Sequence, residues 1–197
     1  MVNSLAYNNT VGFYVGYGSN YNTLLNDTAQ DSVGGTIASG FWVDNSSAND
    51  LTNCSSYDVR RGFMLTFAAE NNTILNSTSY NVSLQAFYIY LANSNTVINS
   101  TAYDAFAAAS TGFYAYDSNF TNLTWNRAWN VTLGFFVSGV STYSTLEGNL
   151  AFNTSAIGFA LENNATYNNL TSNTNRLVRC LRSTLMKHAG ALDRSRR

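Results

Sequence analysis

The chain has 197 residues, 45% of them apolar and only 11% charged, and its formal charge of −1 hides an asymmetry. Up to residue 175 three arginines face ten acids (net −7), whereas beyond it seven bases face one acid (net +6). An acidic body excludes nucleic acid as a partner, no run approaches the ~18 apolar residues of a membrane span, and Met1-Val2-Asn3 does not open a signal peptide.

Polarity comes instead from 28 asparagines and 43 serines and threonines, side chains that hold turns by local hydrogen bonds. Residues 3–12 read as the last third of a repeat, so the chain is expected to begin in mid-coil and to be part of a longer array, because an open solenoid end needs covering. The first full repeat opens at Gly12-Phe13-Tyr14-Val15. The word returns at Gly40-Phe41, Gly62-Phe63, Ala86-Phe87, Gly112-Phe113, Gly134-Phe135 and Gly158-Phe159, with phenylalanine spacings of 28, 22, 24, 26, 22 and 24 residues. A period of this size is the signature of a solenoid or array.

Each repeat holds three short strands. In the first, period-two alternation puts phenylalanine and the second residue after it (Val15, Val43, Leu65, Ile89, Ala115, Val137, Leu161) on one apolar face. The second carries Leu24, Leu51, Ile74, Val97, Leu123, Leu146 and Leu170, bracketed by Asn22/Asn26, Asn49/Asn53, Asn72/Asn76, Asn95/Asn99 and Asn122/Asn126. The third pairs a small residue with a large one, from Ala6-Tyr7 and Ala29-Gln30 to Ala128-Trp129 and Ala151-Phe152. The expected fold is all-β, a three-stranded parallel β-solenoid of about seven coils of 22–28 residues over residues 1–175, with asparagine ladders between coils. The extra residues of the longer coils fall near 34–39 and 105–111 and are expected to bulge on one edge. Cys54 and Cys180 lie about five coils apart, too far for a disulfide.

Residues 176–197 form a second unit, a basic amphipathic helix or tail with Leu177, Leu181, Leu185 and Leu192 at near-helical spacing. It reads as a cap on the open end, a contact for a membrane surface or anionic glycan, or a tail foreign to the repeat, from a frame change or cloning scar.

The words Asn22-Thr23-Leu24-Leu25-Asn26-Asp27-Thr28-Ala29, Asn72-Thr73-Ile74-Leu75-Asn76-Ser77-Thr78 and Asn95-Thr96-Val97-Ile98-Asn99-Ser100-Thr101-Ala102 resemble the right-handed parallel β-helix repeats of the pectin-lyase-like superfamily, in its NosD-like, asparagine-rich branch. The resemblance covers residues 3–175. It implies a right-handed helix and an extracellular or cell-surface place in an archaeon or bacterium, but no single activity, since this fold serves lyases, hydrolases, epimerases, adhesins and scaffolds. The branch is associated with copper delivery, yet His188, Met1, Met64, Met186, Cys54 and Cys180 are scattered, whereas soft-metal sites cluster such ligands. Copper is therefore not expected.

Two candidate sites follow. The residues between the two inward positions of the first strand turn outward, so Tyr14, Trp42, Tyr88, Tyr114 and Phe136, with Met64 among them, would form an aromatic stripe about 24 Å long. Ring faces beside hydroxyl and amide rows suit sugars, and this is the candidate glycan-binding surface; cover by neighbouring loops or a second chain is its competitor. The second is a polar column, Asp31, Asp58, Asn81 and Asp104, near Arg60 and Arg61. In polysaccharide lyases similar carboxylates hold Ca²⁺, so Asp31, Asp58 and Asp104 are candidate ligands. Two exposed carboxylates about 5 Å apart repel by only ~1 kcal/mol in water, and solvated turn caps are the simpler reading. Asp44 and Glu162 share a phase five coils apart, too far to act as an acid–base pair.

The expected function is a non-enzymatic extracellular or cell-surface scaffold with no cofactor. Its partners would be a polysaccharide or cell-surface polymer, neighbouring coils of a longer parent, or a second copy. The alternative is a carbohydrate-active β-helix enzyme, of lyase, hydrolase or epimerase type, whose catalytic coils lie outside this segment.

Overall fold

A computed structural model describes residues 1–32, 34–105 and 110–176. Three parallel sheets run along the molecule, and the chain visits them in rotation, once per coil. The aromatic sheet has seven strands, of which Val11–Gly16, Ser39–Asp44, Arg61–Thr66, Gln85–Tyr90, Thr111–Tyr116 and Leu133–Ser138 have six residues each and Ile157–Leu161 has five. The leucine sheet has seven three-residue strands, Thr23–Leu25 to Asn169–Thr171, and the alanine sheet has eight, Leu5–Tyr7 to Thr174–Arg176. The second unit expected at 176–197 lies, but for Arg176, outside the described residues.

Register follows the repeat. Phe41 pairs with Phe63 and Phe63 with Phe87; Ile74 pairs with Val97 and Val97 with Leu123; Ser79 pairs with Ala102. The core is therefore built of columns. Rings from Phe13 to Phe159 stack with centroids 4.6–4.9 Å apart and planes within 8°, the spacing that parallel strands impose on like residues. The alanine row must stay small because the glycine before six of the seven core phenylalanines packs against it. A Cβ on Gly62 would lie 1.9 Å from Ser79 Oγ and 2.5 Å from the Ala86 carbonyl oxygen.

Between the aromatic and leucine sheets, and again between the leucine and alanine sheets, the chain turns with its backbone N–H groups buried. Side chains of the next coil receive them. The N–H groups of Asn22, Asn49 and Asn72 donate to Oδ1 of Asn49, Asn72 and Asn95 at 2.8–2.9 Å. On the far side of the leucine strand Ser77 N–H donates to Ser100 Oγ, Ser100 to Asn126 Oδ1 and Asn126 to Asn149 Oδ1. An unpaired buried N–H would cost about 1–3 kcal/mol, so these files hold neighbouring coils in step. Asn122 and Asn126 correct the sequence reading by one place. Asn122 pairs with Thr96, Asn126 joins the buried file of Ser77 and Ser100, and Thr121 takes the buried place ahead of the strand.

The outer bracket is a turn column with φ of 48–57° at Asn3, Asn26, Asn53, Asn76, Asn99 and Trp125. Asparagine tolerates this left-handed region better than other side-chain-bearing residues. Longer connections precede Ser39–Asp44 and Thr111–Tyr116, both between the alanine and aromatic sheets, as the coil lengths require.

Nearest-neighbour stacking makes a central ring depend on two coils and an end ring on fewer. Phe87→Ala and Phe113→Ala are each expected to lower stability by about 3–5 kcal/mol, and Phe13→Ala by distinctly less, in chemical denaturation followed by circular dichroism. Equal losses at all three positions would contradict a linear array.

Candidate functional site

The outer face of the aromatic sheet places every residue of the expected stripe in one file. Tyr14 pairs with Trp42, Trp42 with Met64, Met64 with Tyr88, Tyr88 with Tyr114 and Tyr114 with Phe136. A second outward file runs beside it: Gly16, Asp44, Thr66, Tyr90, Tyr116 and Ser138. Over two coils the files coincide in tyrosine, and Tyr88, Tyr90, Tyr114 and Tyr116 form a square with ring centroids 5.5–5.9 Å apart along its edges. Phe136 stacks on Tyr114 at 4.9 Å.

The stripe is less open than alternation implies. Tyr14 is 39% exposed, Met64 is buried, and the other members are half-buried. Their own neighbours cover them. The Arg61 guanidinium lies 5.3 Å from the centroid of Tyr88, within cation–π range. Its Nε donates to Gln85 Oε1 and its Nη1 to the Thr36 carbonyl, both at 2.7 Å, while Arg60 Nη1 reaches the Gly35 carbonyl at 3.2 Å. The two arginines thus tie the long connection that closes the first full coil down beside the sheet. At the amino-terminal end Asp44 accepts from Thr66 Oγ1 at 2.9 Å and from Tyr14 Oη at 3.3 Å, and Trp42 Nε1 donates to Thr66 at 2.7 Å.

Burial, opposed by Arg61, pushes the Tyr88 phenol up to about 12, and burial raises Tyr114 as well. Burial followed by the Asp44 carboxylate brings Tyr14 to about 12. At neutral pH Tyr14, Tyr88 and Tyr114 are therefore uncharged phenols, with the Asp44 carboxylate at one end of the face, Asp117 and Glu162 towards the other and the Arg61 guanidinium at its edge.

Asp31, Asp58 and Asp104 occupy a turn column at φ of 51–55°. Asp31 and Asp58 lie on adjoining coils, where the Asp31 N–H donates to the Tyr57 carbonyl, and Asp104 lies two coils further along. Amides intervene: Asn81 Nδ2 donates to Asp58, Asn130 Nδ2 donates to Asp104 at 2.9 Å, and Gln30 Nε2 donates to Asp31 at 3.2 Å. Among the described residues no three His, Cys, Asp or Glu side chains gather in a group able to hold a metal ion. Asp44 ends one aromatic-sheet strand and Glu162 follows another five steps away, about 24 Å.

Two further aromatic features lie outside the two candidate sites. On the alanine sheet Tyr57, Tyr80, Tyr103 and Trp129 stack face to face with centroids at 4.8 Å, so their faces are spent on one another and only edges meet solvent. At the turn before the leucine sheet Phe120, Tyr143 and Tyr167 form an exposed stack. The small-then-large pairs signalled the first; nothing in the strand pattern signals the second, which lies in turns.

A family described as the periplasmic copper-binding protein NosD matches residues 2–178, and the chain belongs to that family. No curated protein sequence matches the chain. Among solved structures, the A-module of the mannuronan C-5 epimerase AlgE4 of Azotobacter vinelandii is similar over 90% of this chain and 53% of its own length, at 12% identity and a TM-score of 0.62. The AlgE6 A-module of the same organism is similar over 78% of this chain and 58% of its own length, at 9% identity and a TM-score of 0.40. The chain thus spans little more than half the length of either.

The described residues do not fit a copper centre, which calls for converging imidazole, thioether or thiolate ligands. Cys54 is buried with its Sγ against the carbonyls of Leu24 and Thr52, and burial pushes its thiol up to about 11. Met64 is buried on the aromatic sheet and Met1 begins the chain. His188, Met186 and Cys180 lie outside the described residues.

The raised Tyr88 phenol has a measurable consequence. Free tyrosine ionises near ~10, so between about 10 and 12 the unfolded chain has released a proton that the folded chain retains. The unfolded state binds fewer protons there, and stability falls as pH rises. Tyr88's share is complete below about pH 10 and lost above about 12. Melting temperature should fall across this window in the wild type and fall less in Tyr88→Phe; parallel curves would show that Tyr88 is not held neutral by the fold.

Proposed function

We propose that this member of the NosD family is a non-enzymatic scaffold outside the cytoplasm, binding a polysaccharide or cell-wall polymer along the outer face of its aromatic sheet. The observation that carries the reading is the in-register file from Tyr14 to Phe136, widened by Tyr90 and Tyr116 and bordered by Asp44, Thr66 and Arg61. Rings present apolar surface to the C–H face of a sugar, and neutral phenols, a carboxylate and an amide offer donors and acceptors to its hydroxyls. A binding face that repeats every ~4.8 Å suits a polymer, whose own repeats engage successive coils and add by effective concentration. The periplasmic description of the family supports a place outside the cytoplasm. Among the described residues no helix is long and apolar enough to cross a membrane.

One observation favours a second reading, a carbohydrate-active enzyme whose catalytic coils lie elsewhere. The β-helix similar to this one belongs to an epimerase, and this chain spans about half of it. On that reading the aromatic face would hold polymer for a site on other coils. Copper binding is not proposed for the described coils.

Replacing Trp42, Tyr88 and Tyr114 together by serine tests the face. Retention on insoluble cell-wall polysaccharide should fall by roughly tenfold or more, the equivalent of ~1.4 kcal/mol, with the melting temperature held within a few degrees. Undiminished retention, or dissociation of a dimer on substitution, would sink the proposal. Turnover of the polymer by the wild type would replace the scaffold with the enzyme.

A further inference from the structure

On the far side of the molecule, where the leucine sheet turns into the alanine sheet, the asparagine column stops after five coils, and Trp125, Gly148 and Ser172 take its place. Asn3, Asn26, Asn53, Asn76 and Asn99 are followed by Trp125 and then Gly148. Trp125 takes φ 57°, a region that a bulky side chain enters only at a steric cost asparagine largely escapes. The glycine after it is matched to the tryptophan. A Cβ at Gly148 would lie 2.5 Å from Trp125 Cε3 and 2.6 Å from Cζ3, so the indole lies across the space that only glycine leaves. It nevertheless remains 58% exposed.

Polar groups are open beside it as well. In this column Asn26 Nδ2 donates to Asn3 Oδ1 at 3.1 Å, and Asn99 Nδ2 donates to Asn76 Oδ1 at 2.9 Å. Trp125 brings no amide to the file, so among the described residues Asn99 Oδ1, like that of Asn26 and Asn53, accepts nothing from the next coil and is an exposed acceptor. Arg127 opens the alanine-sheet strand two residues on, at a place held by Thr78 and Thr101 in preceding coils and Leu150 in the next. Arg60 and Arg61 tie down a loop, whereas the Arg127 guanidinium is exposed and makes no hydrogen bond or ion pair among the described residues. Asn99, Trp125, Asn126, Arg127, Gly148 and Leu150 line an open depression of about 400 Å³, within the range of small-ligand sites.

An aromatic face, an unpaired guanidinium and a free amide oxygen around one small depression define a ligand by its chemistry. We propose that this turn is a binding site for an acidic pyranose, a hexuronate residue of a glycan. Its apolar face would rest on Trp125, its carboxylate would meet Arg127 through the planar fork that arginine offers to carboxylates, and a ring hydroxyl would donate to Asn99 Oδ1. This turn is separate from the aromatic sheet and the two sites fail or succeed independently.

Calorimetric titration of the full chain with a galacturonate tetramer, against cellotetraose as the neutral control, tests the site. Trp125→Asn restores the residue of the preceding coils at a φ that asparagine accepts, so the fold is retained while affinity for the acidic tetramer should fall by roughly tenfold. Arg127→Gln should abolish the preference for the acidic over the neutral tetramer. The triple serine variant of the aromatic sheet should keep the preference for the acidic over the neutral tetramer. Equal affinity of the wild type for both tetramers overturns the proposal, as does unchanged binding in Trp125→Asn. If Trp125→Asn fails to fold, Arg127→Gln, at an exposed side chain, decides alone: a retained preference for the acid refutes the site.

Discussion

Each coil is held in step with the next by backbone N–H groups at the turns donating to side-chain oxygens one coil along. Strand pairing alone would tolerate slippage, since three-residue strands such as Thr73–Leu75 offer few ladder bonds. The buried donors at Asn49, Asn72, Ser77 and Asn126 do not tolerate it, because a shift of one residue replaces each buried acceptor by a neighbour that lies at the surface, such as Asn71 or Thr73 in place of Asn72. Once that alignment is fixed, like residues must stack, and the phenylalanine column is a consequence. Scarcity of charge follows too, because a like-charged column at ~4.8 Å would repel along its length.

Columns determine where function can reside. A position that repeats unchanged serves the stack, whereas a break exposes chemistry. Met64 divides the outer aromatic file, Arg61 folds across Tyr88 and ties the loop that closes the first full coil, and the four tyrosines crowd into the two coils beyond. Trp125 with Gly148 is the same phenomenon at a turn. The acidic residues show the opposite case: Asp58 and Asp104 are each paired with an amide from the next coil, so their column closes on itself.

The fold was legible in the sequence because period and alternation act locally. Phenylalanine spacing set the coils, period two set the faces, and coil lengths located the long connections before Ser39 and Thr111. The outer file of the aromatic sheet was legible for the same reason. Its partial burial was not, since alternation gives the direction of a side chain and says nothing of a neighbour such as Arg61 lying over it. Buried and exposed asparagines were also indistinguishable by type. Asn95 and Asn99 differ only in which end of the strand Thr96–Ile98 they flank, and in the fifth coil, where Thr121 and Trp125 replace them, Asn122 and Asn126 stand one place away. The Trp125 depression was hidden for that reason, because it exists only when residues 99, 125 and 148 are placed in one column.

Amide hydrogen exchange followed by NMR tests this account most directly. The N–H groups of Asn49, Asn72 and Ser77 lie at turns, where exchange is ordinarily fast, yet each is buried and bonded to a side chain of the next coil. The account predicts that they are protected to the same degree as the strand amides of Phe63 and Phe87. Exchange at the rate of the exposed Gly34 and Gly35 would contradict it.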